Sequence, residues 1–319
     1  MTDQPSFDFD RRRIPSGAVV DHVHAPDGWP LRRIRWTAPD GVPKGSLLFF
    51  GGRGDHFEKY LETFEDWRRR GWQVTSIDWR GQGGSGRTTA NPNVGHIDDF
   101  AIWIDDIAHL FGQWQGESAG PHVIAGHSMG GHLLLRALAE QRVAPDAAIL
   151  VAPMLGFLAP YPDWLGEKVA GLMCRIGDPA RPAWKISEKP GSPLAARRQL
   201  LTHDAARYDD EQWWHEAVPE TLLGPGSWGW VRAAYTSFLK MAQPGVLESV
   251  NAPVLMLVAR HDGLVSSKAA IRDAARLPDC TLHVYGREAA HELLREANGV
   301  RNDALARIDA FLDRVVPQR

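Results

Sequence analysis

A serine, an aspartate and a histidine are the residues of this chain whose types and order could carry out acyl transfer. Ser128 sits in Gly126-His127-Ser128-Met129-Gly130, a G-x-S-x-G pattern. The apolar run Pro121-His122-Val123-Ile124-Ala125 precedes it, and a helical pattern over 132–138 follows. The implied context is a buried strand, a sharp turn and a helix. A serine on such a turn is strained, with its hydroxyl exposed at the end of a parallel sheet. Glycines two positions either side are needed because a Cβ would clash where strand and helix crowd together. The helix start also aims N–H groups at any negative charge developing near the hydroxyl.

A nucleophilic serine needs a base and a group that orients it, and on such a sheet the chain order is Ser, Asp or Glu, His. The apolar strand pattern over 252–259 runs into Arg260-His261-Asp262-Gly263-Leu264-Val265. A helical stretch over 266–276 and a strand over 281–285 follow, and then a loop that ends at His291. Asp262 and His291 therefore fall past the C-terminal ends of strands, on the same edge as Ser128. Ligands bind at that edge of parallel α/β sheets. Each residue also has a plainer role open to it. Asp262 could cap the helix near Ser266, and His291 is expected to open the last helix. His261 reads as a loop residue and His127 as packed into the turn.

Two N–H donors are expected to face the oxyanion that acyl transfer creates. One is the backbone of Met129, just after the serine. The other is placed at the backbone N–H of Arg53, in the loop Gly51-Gly52-Arg53-Gly54-Asp55-His56. A second glycine loop, residues 78–87, lacks the Gly-Lys-Ser/Thr ending of a P-loop. It reads as a structural loop bordering the site. Asp78 precedes the serine in chain order and so does not fit the acid. His22 and His24 share a strand face without a third clustered ligand, which argues against a metal.

The elements that must position these groups are legible as alternation. Strands are predicted over 19–25 and 31–37, joined by a turn, then over 46–50, 73–78, 121–125 and 147–151. Helices are predicted over 57–70 and 97–115. The fold class expected is α/β, a mostly parallel sheet with helices on both faces. Residues 1–16 read as a flexible leader, and 17–153 and 251–319 as the two parts of the core. From 154 to 250 the alternation stops and prolines and helical stretches take over. This segment is expected to be an inserted helical cap over the strand ends, shaping the site and excluding water. Trp164, Trp184, Trp213, Trp214, Trp228 and Trp230 all fall within it.

Composition limits the alternatives. Of 319 residues, 44% are hydrophobic and 24% charged, with a net charge of −3. These are ordinary globular values and give no electrostatic footprint for nucleic acid. The clusters Arg11-Arg12-Arg13 and Arg68-Arg69-Arg70 read as solvated faces. The two cysteines, Cys174 and Cys280, make no disulfide framework. No apolar run reaches the roughly 18 residues of a membrane-spanning helix. The N-terminal ten residues are polar and acidic, unlike a secretory signal. A cytoplasmic location is expected.

Taken together, these motifs resemble the α/β-hydrolase superfamily, and within it the lysophospholipase L2 and monoacylglycerol lipase branch of serine-aminopeptidase-like hydrolases. The resemblance rests on residues 52–56, 78–87, 126–130, 260–265 and 290–294, with a cap segment over 224–230. One departure is Gly51-Gly52, where the branch usually has His-Gly. The resemblance implies hydrolysis of a carboxylic ester of a lipid with one acyl chain. Ser128 would attack the ester carbonyl, His291 would take and return the proton, and Asp262 would hold the imidazole. An acyl-enzyme would form, with no cofactor or metal required. The expected partner is a small-molecule acyl ester and not nucleic acid, and transient membrane-surface contact through the cap stays open. A small-ester esterase or a proline-type aminopeptidase could use the same three residues. An acidic cap group suited to a free α-amine would favour the peptidase. A non-catalytic binding protein of this fold would commonly lack one of the three.

Overall fold

The computed structural model describes residues 9–39, 43–184 and 194–316, with 194–196 described by backbone only. The chain opens with a hairpin, β1 (Ala18–His24) and β2 (Pro30–Trp36), paired antiparallel around a turn in which Gly28 has φ 83°. Alternation follows: β3 (Gly45–Phe50), α1 (Leu61–Arg69), β4 (Trp72–Ile77), α2 (Ala101–Glu117), β5 (His122–His127), α3 (Met129–Ala139) and β6 (Ala147–Val151). After a long insertion come β7 (Val254–Ala259), α8 (Ser267–Ala274), β8 (Cys280–Tyr285) and α9 (Asn298–Val315).

The eight strands form one sheet in the order β1-β2-β4-β3-β5-β6-β7-β8. Pairing is antiparallel on both sides of β2 and parallel from β4 to β8. From β3 the chain crosses to β4 on one side, and β5 then lies on the other. The order therefore reverses between β3 and β5, where Phe50 pairs with Gly126. Such a switch point opens a crevice at the carboxyl ends of the strands.

β3 is buried throughout, and apolar over 47–50, because both its faces are covered. Leu47 and Phe49 pack with Phe64 and Trp67 of α1 and with Leu305 and Phe311 of α9. Leu48 and Phe50 pack on the opposite face with residues of α2 and α3. Burying one such side chain contributes roughly 1.5–3 kcal/mol. This two-sided burial fixes the strand ends that carry the site.

The insertion holds α4 (Asp163–Arg175), α5 (Leu194–Leu201), α6 (Ala205–Ala217) and α7 (Trp228–Met241), with no strand among its described residues. α7 is capped by Ser227, whose side chain accepts a hydrogen bond from the Trp230 N–H at 3.0 Å. α6 is tied to the body rather than raised over it. Arg207 Nε lies 2.7 Å from Glu62 Oε2 of α1, and Trp214 joins the core on that side. No helix among the described residues is long and apolar enough to cross a membrane.

Several expectations need correction. Residues 9–16 are anchored rather than flexible: Arg11 and Arg12 both pair with Asp210, and Trp214 Nε1 donates to the Arg11 carbonyl. Residues 1–8 of the expected leader lie outside those described. The second basic cluster does lie at the surface, with Arg68 and Arg69 paired to Glu65 and Arg69 exposed. The first core helix is preceded by a separate 3-10 turn, Phe57–Tyr60. α2 begins at Ala101, where Asp99 accepts the first N–H at 2.8 Å. The last helix begins at Asn298, so His291 lies in a loop and does not open a helix.

Candidate active site

Ser128 occupies the turn between β5 and α3 with φ 51° and ψ −116°. A positive φ at a residue with a Cβ costs about 1–3 kcal/mol and persists only where the surroundings enforce it. Here they do. The Ser128 N–H donates to Val151 O at 3.0 Å, and its carbonyl accepts from the N–H groups of His132 and Met154, also at 3.0 Å. A Cβ on Gly126 would lie 2.7 Å from the Gly130 carbonyl carbon. A Cβ on Gly130 would collide with the backbone carbonyls of Phe50 and Gly51. The two glycines thus let strand, turn and helix meet.

The loop after β3 lies directly against this turn. A Cβ on Gly52 would stand 3.1 Å from Ser128 Cβ. The loop is held on both sides of Arg53. The Gly52 N–H donates to Asp55 Oδ2 at 2.6 Å, and the Gly54 N–H donates to Gln82 Oε1 at 2.6 Å. Gln82 belongs to the second glycine loop, which therefore braces the first. Asp78, at its base, accepts N–H groups of Phe57 and Gly84 and pairs with Arg32. Gly51 also suits its neighbour, because a Cβ there would lie 2.8 Å from Asp55 Cβ.

His291 and Asp262 meet across the loops that follow β8 and β7. His291 Nδ1 is 2.6 Å from Asp262 Oδ2. Asp262 Oδ1 accepts the N–H groups of Leu264 at 2.8 Å and Val265 at 3.0 Å, while Ser266 caps α8 in its place. Burial would raise the Asp262 carboxyl, but the His291 charge, its hydrogen bond and the two N–H donors outweigh this and hold it low. Burial would lower the His291 imidazole, yet Asp262, with Glu292 and Asp55, raises it above the ordinary range.

Behind His291 lies a buried polar network that local sequence patterns did not reveal. Asp55 accepts from Lys59 at 2.5 Å and from Tyr60 Oη at 2.7 Å. His127 Nδ1 lies 2.9 Å from Tyr60 Oη, and its Nε2 donates to the His291 carbonyl over 3.3 Å. Lys59 also pairs with Glu292 and Glu211, and both carboxylates pair with Arg295. The Asp55–Lys59 pair has a local spacing, four residues apart. The other partners are far apart in the chain.

Ser128, His291, Gly52 and Arg53 share the wall of a cavity of about 550 Å³. The insertion supplies most of the remaining wall, including Phe157, Leu158, Tyr161, Trp184, Trp230 and Tyr235. Asp262 stands behind His291, outside the wall. Met129 is fully buried, with its side chain in the core. A serine on an enforced turn, with an oriented imidazole and a braced glycine loop around one cavity, suits attack on a carbonyl. Both cysteines are free, and Cys280 is only half-buried at the start of β8.

The sheet order, the turn and the strand-end loops define an α/β-hydrolase, and the chain is a carboxylic ester hydrolase of that fold. It belongs to the Hydrolase_4 family, described as serine aminopeptidase, S33, whose profile matches residues 41–298. The chain is similar to lysophospholipase L2 of Escherichia coli (strain K12), with 29% identity covering 97% of this chain and 90% of that protein. It is also similar to the probable lysophospholipase L2 of Haemophilus influenzae, with 25% identity over 86% of each. A soluble variant of monoglyceride lipase from Saccharomyces cerevisiae, solved with a substrate analog, shares the fold with a TM-score of 0.73 and 17% identity, covering 98% of this chain and 100% of that one.

Proposed function

We propose that this protein hydrolyses carboxylic esters of lipids carrying one acyl chain, such as a lysophospholipid or a monoacylglycerol. Ser128 attacks the ester carbonyl and His291 takes its proton, then passes it to the leaving alcohol. Asp262 holds the imidazole with Nε2 towards the serine and stabilises the imidazolium. The N–H groups of Met129 and Arg53 face the oxyanion. Water then cleaves the acyl-enzyme, with His291 again as base. The observation that carries this reading is the His291–Asp262 contact of 2.6 Å at the same cavity as the Ser128 turn.

Parts of the insertion over 154–250 serve as the cap of this site, while α6 packs against the body. The aromatic wall suits an acyl chain, and the names of the relatives point to single-chain lipids. Among the described residues the cap adds Arg197 to the cavity wall and no carboxylate. The carboxylates on the wall, Asp55 and Glu292, come from the core and are already paired with Lys59. Hydrolysis of a monoacylglycerol, a lysophospholipid and an aminoacyl amide, compared side by side, tests the substrate class. Faster cleavage of the amide than of either lipid would defeat it.

The cap also carries an exposed apolar stripe. Leu165, Val169, Leu172 and Ile176 recur at helical spacing along and just past α4, with Trp164 beside them. This stripe supports transient contact with a lipid surface. Leu172→Asp is expected to reduce co-sedimentation with phospholipid vesicles, and unchanged sedimentation would argue against that contact.

A further inference from the structure

Arg53 does two things at once. Its backbone lies in the loop packed on Ser128, while its side chain runs into the cap. Arg53 Nη2 donates to the Gly224 carbonyl. The guanidinium lies 5.3 Å from the Trp184 ring centroid and 5.4 Å from that of Trp230. Those two indoles meet edge to face at 76°, with centroids 6.3 Å apart. Trp184 in turn packs on Gly226, where a Cβ would stand 2.6 Å from its ring.

The cap segment that receives this side chain is itself fixed. The Gly224 N–H donates to Asn93 O at 2.9 Å, Gly95 N–H to Pro225 O at 3.0 Å, and Ser227 N–H to Gly95 O at 2.9 Å. The Ala183 N–H donates to Gly226 O at 2.8 Å. Arg53 therefore joins a loop braced at Gly52 and Gly54 to a strap braced on both its sides. A guanidinium suits this joint. Its flat faces stack on indoles while its edge donates to a carbonyl, and an ammonium cannot do both.

We propose that the Arg53 side chain is a strut that couples the cap to the oxyanion loop, with Arg53 setting the direction of its own backbone N–H through its anchorage at Trp184, Trp230 and Gly224. This rests on the reading that this N–H faces the oxyanion. The side chain is a positioning group, and its effect falls on the transition state. Removing an oxyanion donor outright costs about 10²–10³ in kcat. A donor left in place but no longer held costs less, about tenfold or more.

The test compares the wild-type protein with Arg53→Gln, Arg53→Lys, Trp184→Leu and the double variant Arg53→Gln/Trp184→Leu, on one ester substrate. Expected are a fall in kcat of about tenfold or more for both Arg53 variants and little change in KM. Affinity for an alkylboronic acid, which mimics the tetrahedral intermediate, falls with kcat/KM. Trp184→Leu lowers kcat less, and the double variant is no worse than Arg53→Gln alone, because both break one linkage. Hydrogen exchange, which needs no activity, should quicken together at 51–55 and 223–227 in Arg53→Gln. Lysine restoring wild-type kcat, a change confined to KM, independent multiplication of the two effects, or unaltered exchange at 51–55 would each overturn the strut. A wild-type protein that cleaves no ester would instead defeat the hydrolase reading, and the strut's role with it.

Discussion

Asp262 is held by its own loop on one oxygen and by His291 on the other. Leu264 and Val265 donate to Oδ1, and the imidazole lies 2.6 Å from Oδ2. The carboxylate is thus oriented by its backbone before it orients the histidine. Asp262→Asn preserves that loop but offers the imidazole the wrong partner. The expected loss is about 10⁴ in kcat, with little change in KM, since the carboxylate acts in the transition state. Steady-state kinetics on any cleaved ester checks this. Near-wild-type kcat would mean that another carboxylate serves as the acid.

The pH profile should report the environment of His291. Burial alone would lower the imidazole, but the charges of Asp262, Glu292 and Asp55 raise it. The base must be neutral to accept the serine proton, so activity is lost as pH falls through this raised value. The midpoint of kcat/KM is therefore expected above about 6.5, the unperturbed value for histidine. In Asp262→Asn the midpoint of the residual activity should move down. A wild-type midpoint well below that unperturbed value would contradict the charge arrangement.

Acyl-chain length should matter because the cavity wall is largely aromatic and apolar. Each buried methylene contributes roughly 0.8 kcal/mol, or about fourfold in kcat/KM. The value is expected to climb for p-nitrophenyl esters from acetyl towards about eight carbons, until the cavity is full. A steady fall from acetyl onward would show that the cap's tryptophans pack only against each other.

The parts of this site that were legible in sequence are those set by local rules. Ser128 and Asp262 each follow an apolar strand directly, and glycines mark the turn and the loop beside it. His291 was located, but its setting was misread. The run His291-Glu292-Leu293-Leu294 looks like a helix start, yet distant polar contacts keep 290–297 out of the helix. Glu296 accepts the N–H groups of Ala290 and Ala297 at 2.8 Å and lies 2.9 Å from His203 Nδ1. The position of α6 is hard to read from sequence for a related reason. Its charged sequence shows no clear apolar stripe, and it is held by Arg207 reaching back to Glu62. The network behind His291 joins Lys59 to Glu292, 233 residues further on, and no short pattern encodes that pairing.

A Ser128 activated by His291 should react with a fluorophosphonate, read by intact mass and peptide mapping. One label per chain is expected, on Ser128, lost in Ser128→Ala and strongly slowed in His291→Ala with the fold intact. A label on another residue, or a rate undiminished in His291→Ala, would rule out a Ser128 nucleophile activated by His291.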